Sequence, residues 1–150
     1  MQKAVRRGET QLAGYWALEL WASGFGNYVW KRLLTISAED CWGIITAEVK
    51  ALHDGYALIN ANIPARQSRG RIFISKAVIL LSEAKKSRDA DQLADELRSA
   101  PEYVAIPAYA YDCHTSRVKK AGKTKGEFFT AEHAALSPFQ PGLFDHLVDG

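Results

Sequence analysis

Two cysteines, Cys41 and Cys113, and four histidines, His53, His114, His133 and His146, are the side chains with which this chain could do covalent or metal chemistry. A nucleophilic thiolate needs a base beside it. His53, His114 and His133 are the candidates, but Cys113 and His114 are adjacent and cannot point the same way on a helix. The histidines show neither the HExxH spacing of a zinc helix nor that of a facial triad, and neither cysteine has a CxxC partner. Asp112 and His114, two apart, are the nearest approach to a metal-phosphohydrolase pair; their default reading is a capping carboxylate and a surface histidine. A phosphate cradle of the GxxxxGK[ST] type is ruled out: "AGKTKG" contains Gly-Lys-Thr, but Arg117 stands where the first glycine belongs. The expectation is a chain without catalytic residues, metal or cofactor.

Binding chemistry is better represented. Arg117, Lys119, Lys120, Lys123 and Lys125 form a basic cluster that could contact phosphates, with Tyr109, Tyr111 or Phe128 available to stack on bases of a single strand. Arg66, Arg69 and Arg71 form a second patch. The acidic pair Glu39-Asp40 sits where one predicted helix ends and the next begins. Its charge suits a helix N-terminus, with Asp40 as the cap, and it can pair with Arg32, Arg6 or Arg7. Tyr15, Trp16, Trp21, Tyr28 and Trp30 have the character of core plus subunit interface, where such aromatics are favoured anchors.

The elements that must carry these residues read as helices. From Thr10 to Ala22 apolar residues cover nearly the whole circumference, as in a helix buried on most sides or held in an interface. Ser23-Gly24-Phe25-Gly26 ends it, and a second helix follows from about Asn27 to Ala38. Ile45, Val49, Leu52, Tyr56, Ile59 and Ile63 step by four and three along a third helix, which Pro64 stops. Ile72-Phe73-Ile74 alone resembles a strand, but the apolar pattern continues through Leu81 and predicts a mostly buried helix. Asp89 with Gln92 resembles a capping box for a fifth. At Pro101 the texture changes to prolines, glycines, aromatics and lysines. A short helix near 113–121 and another near 131–136 are expected, then a turn-rich tail; irregular texture begins at about residue 122.

A length of 150 residues with 47% hydrophobic content suits one domain, and a net charge of +2 neither demands nor excludes a polyanionic partner. Without an apolar leader or a long apolar run, the expected setting is the cytoplasm, with no membrane contact.

The segments "KAVRRGE", "AGYWALELWASGF", "YVWKRLLTISAEDCWG", "ISKAVILLSEAKKS" and "YVAIPAY" resemble, in order and spacing, the C-terminal helical region of the replication-associated recombination protein A family, AAA+ ATPases also called MgsA, with Werner-helicase-interacting relatives. The matching positions are Lys3, Arg6 and Gly8, then Tyr15 and Trp16, then Lys31, Arg32 and Leu33, then Glu39, Asp40 and Gly43, with Ile106-Pro107 at the proline-led segment. Ala38 replaces the family's serine, and the basic tail looks closer to stand-alone phage-type relatives. The resemblance spans roughly Lys3 to Lys125. It implies an all-α, clamp-loader-collar-like domain for oligomerisation and protein interaction in DNA replication, repair and recombination. Implied partners are copies of itself in a tetramer, a single-stranded-DNA-binding protein, an ATPase supplied in trans, and DNA. The family's ATPase module has no counterpart in these residues, so ATP turnover is not expected of them. The alternative expectation is a single-stranded nucleic-acid-binding protein that uses the cluster 117–125.

Overall fold

The computed structural model describes residues 1–99, 105–107, 110 and 124–138. The fold is all-α. The chain forms two compact units, 1–100 and 101–150, divided where the sequence texture changes. The first unit contains α1 (Gln2–Arg6), α2 (Thr10–Leu20), α3 (Gly26–Glu39), α4 (Ile45–Ile59), α5 (Arg71–Glu83) and α6 (Asp89–Arg98). In the second, α7 spans Lys125–Ala134.

The core helix is α5, which packs against α1, α2, α3 and α4. Ile74, Ala77, Val78 and Leu81 repeat at three and four residues along it and are all buried. Length decided between helix and strand here, because an apolar run sustained past eight residues exceeds ordinary strand size. Onto α5 come Val29, Trp30, Leu33 and Ile36 of α3, Ile45, Val49 and Tyr56 of α4, and Ala13 and Ala17 of α2, in one continuous core.

Between α2 and α3 the wide turn Trp21–Phe25 kinks at Gly24, whose φ of +89° lies in the left-handed region. The predicted glycine stop is therefore present. The next helix begins at once instead of after a loop.

Three expected termini differ. Asp40 does not cap α4, whose N-cap is Ile44 without a side-chain bond; its carboxylate is drawn into the interior by arginines, as described below. The helix also ends at Ile59 and not at Pro64, because the Asn60 side chain takes over the backbone groups beyond it. Asn60 Nδ2 donates to the Tyr56 and Arg69 carbonyls at 2.8 and 2.9 Å, and its Oδ1 accepts from the Arg69 N–H at 2.6 Å. Asp89 and Gln92 form no capping box; α6 has Arg88 at its N-cap, and Ser87 Oγ accepts from the Asp89 N–H at 3.2 Å. A capping box does open α7, where Thr124 Oγ1 accepts from the Glu127 N–H and Glu127 accepts from the Thr124 N–H. That helix starts six residues before the predicted 131. The helix expected at 113–121 lies outside the described residues.

Gly70 precedes α5 at φ +85°, and a Cβ there would stand 2.4 Å from Ile59 Cδ1 and 3.2 Å from Phe73 Cδ2. Both the backbone and the space exclude a side chain. Gly70→Ala is expected to lower stability by about 1–3 kcal/mol, read as a drop in urea midpoint at unchanged m-value.

Candidate functional site

Burial sorts the acidic pair first. Asp40 follows α3 with its side chain wholly removed from solvent. An isolated carboxylate in that position would be expensive to desolvate, so its partners decide whether it is tolerated. Arg6 Nε donates to Oδ1 at 2.9 Å, Arg6 Nη2 to Oδ2 at 3.3 Å and Gln2 Nε2 to Oδ2 at 3.0 Å. From the other side Arg88 approaches both Asp40 at 4.0 Å and Glu39 at 3.6 Å, and it also pairs with Asp91. Arg32 donates to Gln2 Oε1 and so supports the cluster at one remove. Of the arginines expected at this joint, Arg6 pairs directly, whereas Arg7 turns to the Lys3 carbonyl. These groups form one connected set of ion pairs and hydrogen bonds around Asp40.

Next to the cluster, two loops are clipped together. The Trp42 N–H donates to the Lys85 carbonyl at 2.9 Å and the Ser87 N–H to the Asp40 carbonyl at 3.1 Å. Lys86 Nζ donates to the carbonyls of Leu81, Ser82 and Ala84, which closes the C-terminal end of α5. Cys41 is buried beside it, with Sγ 3.9 Å from the Leu81 carbonyl. Desolvation pushes its thiol above the ordinary value of 9.0; Lys86 pulls it down and Asp40 adds to the rise. A thiol held protonated is a packing group. Cys113, His114, Asp112 and His146 lie outside the described residues, among which no three His, Cys, Asp or Glu side chains converge.

The aromatic set divides. Trp30 is 1% exposed, packed near His53 and Tyr56 at ring-centroid distances of 5.3 and 5.4 Å. It is a core residue and is removed from the expected interface, because its side of α3 faces α4. Tyr15, Trp16 and Tyr28 are 58%, 48% and 52% exposed. On α2 the usual arrangement is inverted: the small Ala13 and Ala17 are fully buried, while Leu12, Tyr15 and Trp16 stand outside. Tyr15 and Trp16 meet edge to face at 5.2 Å.

Trp21 behaves differently, being half-buried. Its indole N–H donates to Tyr56 Oη at 3.0 Å. This pair walls a cleft of about 290 Å³ between the wide turn, the start of α3 and the last turns of α4, to which Asn27 and Ser68 contribute. A second cleft of about 560 Å³ adjoins it, sharing Trp21 and Ser68 and adding Arg66. Asn27 and Ser68 had no motif to announce them. What the sequence did carry was the absence of any carboxylate from 61 to 82 and from 20 to 38.

Of the basic cluster, Arg117, Lys119, Lys120 and Lys123 lie outside the described residues, as do Tyr109 and Tyr111. Lys125 is the first residue of α7. Among the described residues no helix is long and apolar enough to cross a membrane. Compared with known proteins, the chain matches no family model, no curated protein and no solved structure.

Two outcomes follow from this geometry. Asp40→Asn is expected to cost about 2–4 kcal/mol in urea unfolding, below the full penalty for a broken buried pair because Arg6 and Arg88 can turn to water; Glu39→Gln should cost under about 1 kcal/mol. In a Cys113→Ser background, Cys41 should react with a thiol-disulfide reagent roughly 100-fold slower in the native protein than in urea. Since folding raises this thiol's pKa, its contribution to stability is intact below pH 9 and declines as the pH rises further, which an alkaline stability series would detect.

Proposed function

We propose that the chain is a non-catalytic helical domain that self-associates, and docks onto replication proteins, through the outer face of α2. One observation carries this reading: α2 buries Ala13 and Ala17, packs Leu18 and Leu20 partly against the core, and leaves Leu12, Tyr15 and Trp16 exposed on its outer side. A helix serving only its own core would place them the other way. Solvated tyrosine and tryptophan lose little conformational entropy when covered and bring large contact area, which makes them efficient anchors between subunits.

The resemblance to the C-terminal region of the replication-associated recombination protein A family supports the same reading through its structural half. The segments that carry it include Arg6, Glu39 and Asp40, which are bonded to one another. Arg6, Glu39 and Asp40 thus hold the domain's own frame, while Tyr15 and Trp16, which also carry the resemblance, stay exposed and are proposed to meet a second copy. A tetramer, a single-stranded-DNA-binding protein and an ATPase acting in trans are the partners this relationship proposes.

Light scattering after gel filtration is expected to give a multiple of 16.6 kDa. The Leu12→Ser/Trp16→Ser variant should weaken assembly by roughly 30-fold or more, equivalent to about 2 kcal/mol at anchor residues, with its helical circular dichroism retained. A wild-type protein that stays monomeric at high micromolar concentration and captures no replication protein would refute the reading.

A further inference from the structure

We propose that the paired clefts around Trp21 form a binding site for a nucleotide unit, its base against the indole and its phosphate at the Arg66 rim. Volumes of about 290 and 560 Å³ on either side of a shared wall are in the range of small-molecule pockets, roughly 300–1,000 Å³.

Hydrogen-bonding capacity comes next. Tyr56 Oη accepts from Trp21 Nε1 and keeps its own proton to donate. Asn27 and Ser68 line the same cleft, and among the described residues neither side chain makes a hydrogen bond. Asn60, by contrast, is fully engaged in pinning Arg69 and so fixes the loop that forms the rim.

Charge then selects the ligand. No carboxylate lines either cleft. Arg66, Arg69 and Arg71 are exposed and make no ion pair among the described residues, while the acidic Asp54 of α4 is occupied by Lys50. Unpaired guanidiniums beside convergent neutral donors favour an anion. The indole adds the second requirement: its N–H is bonded to Tyr56, which holds it in orientation, and Trp21 lines both clefts, an aromatic of the kind on which flat partners stack. A planar ring carrying phosphate satisfies all three features.

The site shares no residue with the cluster 117–125 or with Leu12, Tyr15 and Trp16 of α2, so it stands or falls independently of self-association. It is tested by following the Trp21 indole N–H signal in a nitrogen–proton correlation spectrum, assigned as the one missing from Trp21→Phe, while thymidine monophosphate, inorganic phosphate or a ten-residue oligothymidylate is added. Thymidine monophosphate and the oligomer should both move the signal, inorganic phosphate should not, and Arg66→Ala/Arg69→Ala should weaken oligomer binding roughly 10-fold with a shallower salt dependence. Oligomer binding at least 10-fold tighter than mononucleotide assigns the site to a single strand; equal affinity assigns it to a free nucleotide. The proposal is overturned by a Trp21 signal unmoved at millimolar thymidine monophosphate, by an equal response to phosphate alone, or by oligomer binding that survives the double variant and is lost only when Arg117, Lys119, Lys120, Lys123 and Lys125 are neutralised.

Discussion

A single buried carboxylate organises one end of this fold. Asp40 terminates α3 with no access to water, and every group that makes its burial tolerable comes from a different part of the chain: Gln2 and Arg6 from α1, Arg88 from the start of α6. Such a charge specifies position more than it adds stability, since a well-packed apolar replacement can be as stable, whereas loss of one partner leaves an uncompensated ion. The five-residue α1 has little capacity to hold itself as a helix. Tied to Asp40, it can seal Val5 into the core and set the point from which α2 departs.

The consequences reach α2 through spacing. Alanines at positions 13 and 17 permit the backbone of α2 to lie close against α5, and the close approach leaves no room on that side for anything larger. The bulky residues must then go elsewhere. Their exposure is a product of how near two helix axes are held, and the axes are held by the core residues Ile74, Ala77, Val78 and Leu81 with α1 at their end. An outward tyrosine and tryptophan on a helix with an alanine inner face are the two sides of one packing solution.

Legibility in the sequence followed the sharpness of the periodic signal. The stripe of α4 pointed to the buried Ile45, Val49 and Tyr56 because apolar positions recur there at steps of three and four, although Ile59 on the same stripe is 42% exposed. On α2 nearly every position is apolar, so periodicity could not say which side faces inward; residue volume, not hydrophobicity, was the discriminating variable. Trp30 and Trp16 illustrate the cost, two tryptophans with the same composition-level reading and opposite fates. Local capping rules failed at Asp40 and Asp89 for a common reason, that long-range arginines and a nearer serine competed for the same groups. Thr124 and Glu127, at capping-box spacing, hold each other's backbone N–H groups. Cleft residues were the least legible, because Asn27, Tyr56 and Ser68 come from three separate elements and none bears a motif.

Trp21 links the two proposed surfaces. It continues the inward series Ala13, Ala17, Trp21 at steps of four, so in a regular helix it would belong to the closely packed side. At that residue α2 gives way to the kinked turn Trp21–Phe25, and the indole N–H meets Tyr56 of α4. A side chain many times the size of alanine is accommodated because the turn changes both pitch and direction before Gly24 redirects the chain. The small-to-large change along one face is therefore matched to the geometry behind it: close contact over α5, then a gap that an indole fills only in part. That incomplete filling is what leaves a cleft, and its hydrogen-bonded wall keeps the cleft from collapsing.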